Sequence, residues 1–450
     1  MLSAAGDRRW ILAESRPLRL ATLFILYVAQ GVPIGLFWTA IPAWMAANGA
    51  AADDVAWVLG LTALPWTLKL GNGFIMDRYT FLAMGRRRIW IVGAQLVMVA
   101  LLVACAVIGP GVEDIGLLAF AGCAVNTATA FQDVAVDGLA VDIMEEEERA
   151  RASGMMFGGQ SIGMAMSTAL TGAAIARFGP AAAYLFAAAF IGLITLFVIA
   201  LRERDGERLL PWTRGDVHPR NHDLHLGEWR PILGATFRSL LHVISLLWVP
   251  VLLVRGATYG VFNGMTPLMG VNEVGWSEVE VTGVVGSSQL VTGLIGMTLG
   301  GWLGDRFGAK RSTIGMFLAF LAMGAVMWAI PGHWGSPATF TAFVYAWGTI
   351  NILLTVVSLP ISMRLCDPRV AATQFTLYMA LSNLGISLGA WVLGLSEQLG
   401  GMRSLFALVF GLHLVGLAIM ALVRFPRRSA VEDEVAAQLA EDHGPEPPIN

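Results

Sequence analysis

Charged side chains are scarce in this sequence. Asp, Glu, Lys and Arg make up 14% of its 450 residues, whereas hydrophobic residues make up 56%. Soluble domains carry about 25% charged residues, so the shortage excludes an ordinary soluble domain and indicates a chain that crosses a membrane many times. The net charge of −3 gives no reason to expect a nucleic acid as a partner.

Cysteine is also rare, and nucleotide-binding motifs are absent from the sequence. The three cysteines, Cys105, Cys123 and Cys366, lie in or beside apolar segments. Their spacing fits neither a zinc site nor a disulfide framework, so we expect buried thiols. The phosphate-binding pattern G-x-x-x-x-G-K-[ST] does not occur, which argues against nucleotide hydrolysis as an energy source. We therefore expect no cofactor and no metal.

Apolar runs long enough to cross a bilayer, roughly 20 residues each, recur along the chain. Counting them gives twelve, in two groups of six on either side of a polar stretch. The prediction is an all-α membrane protein with two pseudo-symmetric six-helix bundles. The predicted spans are 18–41, 55–76, 89–109, 115–143, 152–176, 180–201, 240–270, 280–303, 313–331, 338–363, 371–395 and 404–425. The predicted parts are an N-terminus 1–17, a bundle 18–201, a linker 202–239, a bundle 240–425 and a tail 426–450.

Basic residues are distributed unevenly between the two sides of these spans. With the N-terminus inside, only Arg177 and Arg403 of the 29 Lys and Arg fall in outer loops, and only Lys69 and Arg255 lie within spans away from their cytoplasmic ends. Cytoplasmic loops carry the excess of Lys and Arg in membrane proteins. We therefore predict that both termini and the linker are cytoplasmic, in an inner or plasma membrane.

The linker contains three histidines, His218, His222 and His225. No cysteine or carboxylate cluster accompanies them in a closed ligand pattern. We interpret the linker as solvated, with part of it an interfacial helix near Trp229.

Each half contains the same loop motif after its second span. The first copy runs Gly71-Asn72-Gly73-Phe74-Ile75-Met76-Asp77-Arg78-Tyr79 and continues to Gly85-Arg86-Arg87-Arg88; the second runs Gly300-Gly301-Trp302-Leu303-Gly304-Asp305-Arg306-Phe307-Gly308, then Lys310-Arg311. An Asp at a helix C-terminus is opposed by the helix dipole. It therefore needs the adjacent arginines or a neighbouring helix start, such as Asp367-Pro368-Arg369. The gating residues that we predict are Asp77, Arg78, Arg86, Arg87, Asp142, Arg149, Asp305, Arg306 and Arg311.

The repeated loop resembles the signature loop of the major facilitator superfamily. The first copy, together with Gln132-Asp133-Val134-Ala135-Val136-Asp137-Gly138, is similar to the AmpG-like muropeptide permeases and the related acetyl-CoA transporters. Thr373-Gln374-Phe375 fits the same branch. The resemblance implies a transporter in which helices 1, 4, 7 and 10 surround a central cavity. It also implies a role for Gln132 in substrate binding.

Two carboxylates, Asp133 and Asp137, lie within the fourth span. Four residues apart on a helix, they share a face about 6 Å apart along the axis. Two such carboxylates in a low dielectric cannot both ionise cheaply, so one of them should carry a proton. This predicts a proton-coupling site, and the alternative is a static ion pair with Lys69. In the second half, the repeat places Val356 and Pro360 opposite them, so the helix does not require these charges.

Polar residues near mid-depth of the predicted cavity helices are the candidates for substrate binding. Arg255 has no acidic neighbour in sequence, so either an anionic substrate group or a carboxylate of the N-terminal half should pair with it. The substrate-binding residues that we predict are Tyr27, Gln30, Lys69, Asn126, Gln132, Arg255, Tyr259, Asn263 and Asn351.

Together these features predict a proton-coupled secondary active transporter, not an enzyme, that works by alternating access as a monomer. Its partners are an anionic small molecule, protons and the lipid bilayer. The resemblance suggests import of an anhydromuropeptide-type fragment; acyl-CoA, peptide or siderophore-like anions are alternatives. A membrane-embedded transferase and a non-transporting sensor are the competing classes.

Overall fold

The computed structural model describes residues 10–425, which are almost entirely helical and contain no β-strand. Ten helices are long and apolar enough to cross a membrane. They are α1 Arg16–Ala47, α3 Arg88–Ile108, α4 Ile115–Ile143, α6 Pro180–Ile199, α7 Val243–Glu273, α8 Glu278–Phe307, α9 Ala309–Ala329, α10 Pro337–Arg364, α11 Ala371–Gln398 and α12 Met402–Leu422.

The second and fifth predicted spans are helical as well. α2 has two segments, Ala52–Leu68 and Leu70–Arg78, and α5 is a single helix, Arg149–Phe178. The all-helical architecture is thus the predicted one, and twelve crossings remain a prediction. Two linker helices, Pro219–Asp223 and Trp229–Leu240, precede α7; we call the second one the linker helix. Short 3-10 turns occupy Leu12–Glu14, Leu82–Met84, Glu146–Glu148, Pro331–His333 and Pro368–Val370.

Local sequence explains where the helices of the site are interrupted. α2 breaks at Lys69, between Pro65 and the Gly71-Asn72-Gly73 segment, and both proline and glycine weaken helical hydrogen bonding. π-helical turns interrupt α1 at Leu36–Ala40 and α8 at Gly296–Gly300. The break in α2 places the Lys69 side chain at mid-helix, where it can reach α4.

The glycine of each repeated loop occupies an equivalent conformation. Gly85 precedes α3 with φ 97°, and Gly308 precedes α9 with φ 78°. Side-chain-bearing residues rarely adopt positive φ, so both loops need glycine at this position. The structure therefore retains the repeat at the level of the backbone.

Glycines also allow the same pair of helices to pack closely in each half. A Cβ on Gly31 of α1 would lie 2.5 Å from the Gln160 carbonyl oxygen of α5, and one on Gly163 of α5 would lie 2.3 Å from the Val28 oxygen. Between α7 and α11, a Cβ on Gly256 would lie 1.8 Å from the Ser382 oxygen. Small residues permit such backbone contact in membranes.

The first part of the linker is folded onto the N-terminal half, unlike the solvated segment that the sequence suggested. The buried Glu203 carboxylate accepts hydrogen bonds from the backbone N–H of Arg86 (2.9 Å), Arg87 (2.7 Å) and Arg88 at the start of α3. A carboxylate is favoured at a helix N-terminus because it satisfies the free N–H groups. Burial and the neighbouring Glu203 carboxylate raise the pKa of Glu207 to about 7.

Candidate functional site

The acidic stretch of α4 is buried in the N-terminal half. Asp133 accepts hydrogen bonds from Gln30 Nε2 on α1 (2.6 Å) and from Lys69 Nζ on α2 (2.8 Å). The Lys69–Asp133 contact is an ion pair whose side chains are both nearly inaccessible to solvent. The pairing with Lys69 that the sequence left open therefore forms in this conformation, and it neutralises Asp133.

Asp137 has a different environment from Asp133. It accepts a hydrogen bond from the Tyr27 hydroxyl, and no basic side chain of residues 10–425 makes an ion pair with it. A buried carboxylate without a cation is expensive when ionised and inexpensive when protonated. Of the two carboxylates, Asp137 is therefore the one suited to hold a proton in this conformation.

Asn126 lies on α4 about two helical turns before Asp133 and is held between two tryptophans. Its Oδ1 accepts hydrogen bonds from the indole N–H of Trp66 (2.9 Å) and of Trp38 (3.4 Å). The Trp66 ring also lies 5.5 Å from the Lys69 ammonium. α1, α2 and α4 thus bring two aromatic rings and an amide together beside the ion pair.

Gln132 is directed away from the acidic pair. Its Nε2 donates to the Leu26 carbonyl oxygen of α1 at 2.9 Å, and the side chain is fully buried. Adjacent residues on a helix point about 100° apart, which explains why Gln132 and Asp133 have different surroundings.

A cavity of about 370 Å³ lies between α5 and four helices of the C-terminal half, α7, α8, α10 and α11. Its wall contains amide, hydroxyl and phenol groups and a single charged residue, Arg255. The polar lining residues are Gln160, Ser161, Arg255, Tyr259, Ser288, Gln289, Thr292, Asn351, Thr355, Ser382 and Asn383. The acidic pair of α4 does not line this cavity.

Arg255 enters the cavity wall without a carboxylate partner among the described residues. Its Nε donates to Ser382 Oγ (3.1 Å), and its Nη1 donates to Ser358 Oγ (3.3 Å). Its Nη2 lies 3.8 Å from the Met379 sulfur, and the side chain is buried. Two hydroxyls and a thioether do not neutralise a guanidinium, so the site retains an uncompensated positive charge.

The remaining predicted C-terminal residues separate into two groups. Tyr259 and Asn351 line the Arg255 cavity, and the buried Asn351 Oδ1 has no hydrogen-bond partner in the described part of the chain. Asn263 instead lines a second cavity of about 460 Å³ between α7 and α8, together with Val281 and Thr282. Asn263 and Arg255 therefore do not share one cavity.

Restricting the candidates to helices 1, 4, 7 and 10 missed the cavity residues of α5, α8 and α11. Among these are Gln160, Gln289 and Asn383. Alignment of the two halves pairs Gln160 with Asn383, and the structure places both in the same wall. A polar residue at equivalent positions of both repeats was the signal that could have identified Gln160 and Asn383.

Charged residues at the end of α2, just before α3 and at the end of α4 form a buried network. Asp77 pairs with Arg87 at 2.8 Å, and Asp142 pairs with Arg87 at 2.9 Å and with Arg86 at 3.3 Å. Asp77 also accepts hydrogen bonds from Thr373 at the start of α11, from its N–H at 2.9 Å and from its hydroxyl at 2.7 Å. The adjacent arginine and the neighbouring helix start both act as partners for this helix-terminal carboxylate.

The same network connects the two halves. Arg86 donates to the carbonyl oxygens of Pro368 (2.9 Å) and Arg369 (3.0 Å), which precede α11. Two ion pairs also connect the halves: Arg151 pairs with Asp305 at 2.6 Å, and Arg364 pairs with Glu146. The halves are therefore joined on the face that the basic loops predict to be cytoplasmic.

The other predicted gating residues lie at the margin of this network. Arg78 pairs with Glu228 of the linker at 3.5 Å, and Arg149 lies 3.8 Å from Glu146. Arg306 and Arg311 are exposed.

Two helical halves joined at one face, with a polar cavity between them, define the class of secondary membrane transporters. The sequence profile of the Major Facilitator Superfamily matches residues 23–390, and the chain belongs to this superfamily.

Comparison with known proteins gives relatives over most of the chain. The anhydromuropeptide permease of Escherichia coli K12 is 25% identical over 422 residues, 90% of this chain and 80% of the permease. An AmpG-named transporter of Rickettsia felis is 22% identical and covers 81% of this chain and 87% of that one. Among solved structures, the E. coli fucose:proton symporter in its outward conformation superimposes with a TM-score of 0.67 at 13% identity, covering 90% and 98% of the two chains.

Proposed function

We propose that this transporter imports an anionic solute together with protons, by alternating access across an inner or plasma membrane. The observation that carries the proposal is Arg255, a buried guanidinium in a cavity wall with no carboxylate partner among the described residues. A carboxylate or phosphate of the solute supplies the missing negative charge and can bind the guanidinium through two hydrogen bonds.

The proposed solute is an anhydromuropeptide-type molecule. The named permease to which the chain is similar transports this class, and the cavity chemistry fits a ligand with one anionic group and many hydroxyl and amide groups. Gln160, Asn351 and Asn383 offer both donors and acceptors, as recognition of sugar hydroxyls and peptide amides requires. Acyl-CoA, peptide and siderophore-like anions are the alternative solutes.

Proton coupling is proposed for Asp137, with Asp133 as its neighbour. Asp137 is held by the Tyr27 hydroxyl on α1, and Asp133 by Lys69 on α2. A movement of α1 or α2 during the transport cycle would change these contacts and therefore the affinity of the pair for a proton. The face where the two halves are joined lies on the predicted cytoplasmic side. In this conformation, solute and proton would therefore enter from outside.

Binding measurements on Arg255 variants test the solute class. Removing one partner of a buried charge pair costs about 2–5 kcal/mol of affinity. We therefore expect Arg255→Ala to weaken binding of an anhydromuropeptide at least about 30-fold, measured by calorimetry on the purified protein. Arg255→Lys keeps the charge but not the planar fork, so we expect an intermediate loss.

The control is Arg403→Ala, because Arg403 stacks on Trp328 and does not line the cavity. Unchanged affinity of Arg255→Ala for every anion tested would contradict the proposal. If acyl-CoA bound tightly and the muropeptide did not, the proposed anion-binding role of Arg255 would stand, but acyl-CoA would replace the muropeptide as the solute.

A further inference from the structure

The linker helix, Trp229–Leu240, has one apolar face packed against the transporter. Ile232 and Ala235 are buried against Val370, which precedes α11, and against Phe74 near the end of α2. This face therefore bridges the two halves at the joined side of the molecule. It accounts for only part of the helix surface.

A second apolar face of the same helix is exposed. Trp229, Leu233, Phe237 and Leu241, four residues apart, are 38%, 40%, 58% and 64% exposed. At about 100° per residue, they fall within a sector of about 120° that begins about 60° from Ile232 and ends on the side opposite to it. Contiguous exposed apolar faces of this kind mark a contact with a partner or a membrane.

Positive charge borders this second face. Arg230 and Arg238 lie on the exposed side and make no ion pair with a described residue. The one acidic residue at the helix start, Glu228, already pairs with Arg78. A helix with Trp, Leu and Phe on one side and arginines beside them has the composition of an interfacial membrane helix.

The exposed face continues directly into the surface of α7. Val243, Leu246 and Leu247 in the first turns of that membrane-spanning helix are also exposed. The apolar patch of the linker helix therefore adjoins an exposed apolar surface at the start of α7, a helix long and apolar enough to cross a membrane. Lipid, and not a second copy of the chain, is the occupant that this continuity indicates.

We propose that the linker helix is an anionic-lipid-binding helix that lies in the membrane interface. Leu233, Phe237 and Leu241 enter the boundary between headgroups and acyl chains, and Arg230 and Arg238 bind anionic headgroups, while the Trp229 ring packs on Arg78 and Tyr79 of the N-terminal half. Because the other face packs on Phe74 and Val370, the helix anchors the joined ends of α2 and α11 to the bilayer. This inference depends on membrane insertion of the chain and is independent of the solute.

Spin labels on the intact protein in lipid nanodiscs test the position of the helix. One label replaces Phe237 on the proposed lipid face; the matched label replaces Pro231, which is exposed about 120° away on the same helix. With phosphatidylglycerol present, we expect the Phe237→Cys label to collide preferentially with oxygen and the Pro231→Cys label with a water-soluble nickel chelate. Equal nickel accessibility at both positions would overturn the proposal, and so would spin–spin broadening at 237 from a second copy.

A titration of phosphatidylglycerol into zwitterionic nanodiscs tests the charge contribution. A basic residue near an anionic surface contributes about 1 kcal/mol, or about fivefold in affinity. The readout is the change in accessibility of the label at Phe237. We expect Arg230→Gln/Arg238→Gln to raise at least fivefold the phosphatidylglycerol concentration that produces half of this change. Arg214→Gln/Arg220→Gln removes the same charge from exposed linker positions outside the helix and should have little effect. Equal shifts in the two double variants would overturn the assignment to the linker helix.

Discussion

At the scale of single residues, the N-terminal half contains a buried ion pair beside a carboxylate that lacks a cation. Lys69 and Asp133 lie 2.8 Å apart, and Asp137, one turn later, has the Tyr27 hydroxyl as its partner. The Lys69 ammonium thus neutralises Asp133, whereas Asp137 makes no ion pair with a described residue. We propose from this difference that the Lys69–Asp133 pair contributes to structure and that Asp137 contributes to transport.

Removing Lys69 alone should destabilise the fold strongly. Breaking a buried ion pair by deleting one partner costs about 3–5 kcal/mol, whereas neutralising both partners costs much less. We expect Lys69→Met to lower the free energy of unfolding by about that amount and Lys69→Met/Asp133→Asn to recover most of it. Chemical denaturation in detergent measures both. Equal stability of Lys69→Met and the native protein would show that the pair does not contribute to the fold.

Residue chemistry explains how much of this site could be predicted. The i,i+4 spacing on α4 was sufficient to place Asp133 and Asp137 on one face, because a helix fixes that geometry. Sequence alone could not decide which of them Lys69 pairs with, since that depends on the break in α2 at Lys69. The side-chain partners of Arg255, Ser358 and Ser382, come from α10 and α11, and no local pattern connects them.

At the scale of helices, the close contact of α1 with α5 depends on glycines that leave no room for a side chain. A Cβ on Gly163 would lie 2.3 Å from the Val28 backbone oxygen, whereas a Cβ on Gly172 of the same helix would meet nothing within 4 Å. Tyr27 and Gln30, which hold the two carboxylates, are on α1. Separation of the two helices would therefore alter the site.

Gly163→Ala should be destabilising and Gly172→Ala should not be. Overpacking a tight contact costs about 1–3 kcal/mol, while a helical Gly→Ala change without a clash is favourable by up to about 1 kcal/mol. Thermal unfolding of the two purified variants gives the comparison. Equal melting temperatures would show that α5 shifts freely away from α1.

At the scale of the whole molecule, the contacts that join the halves on one face include the carboxylates of both loop motifs, Asp77 and Asp305, in unequal surroundings. Asp77 is fully buried among Arg87 and Thr373, whereas Arg151 and Asp305 are 43% and 21% exposed in their side chains. Hydrogen bonds to buried charged groups contribute about 1.5–3 kcal/mol, and exposed ion pairs about 0–1 kcal/mol. The two copies of the loop motif should therefore differ in their effect on opening.

Asp77→Asn should open the joined face more readily than Asp305→Asn does. We expect the open population to rise about tenfold or more for Asp77→Asn and less than about fivefold for Asp305→Asn. Distances between spin labels at Glu147 and Arg311, one in each half, report the two populations. A larger effect of Asp305→Asn would contradict this account of the gate.

The general architecture was accessible from sequence because apolar run length and the repeated loop depend on local chemistry. The helical boundaries of α4 agree with the predicted span, and those of α8 extend beyond it by a few residues at both ends. The linker was less accessible. Its Glu203 carboxylate binds the start of α3, more than a hundred residues earlier, and such a contact has no signature in either segment.

The central claim is that Asp137 couples proton entry to movement of an anionic solute. The most direct measurement is uptake of a labelled anhydromuropeptide into proteoliposomes under an imposed pH gradient. The account predicts concentrative uptake by the native protein and by Asp53→Asn, an exposed control, and its loss on adding an uncoupler. It predicts that Asp137→Asn only equilibrates or exchanges the solute. Concentrative uptake by Asp137→Asn equal to that of the native protein would contradict it.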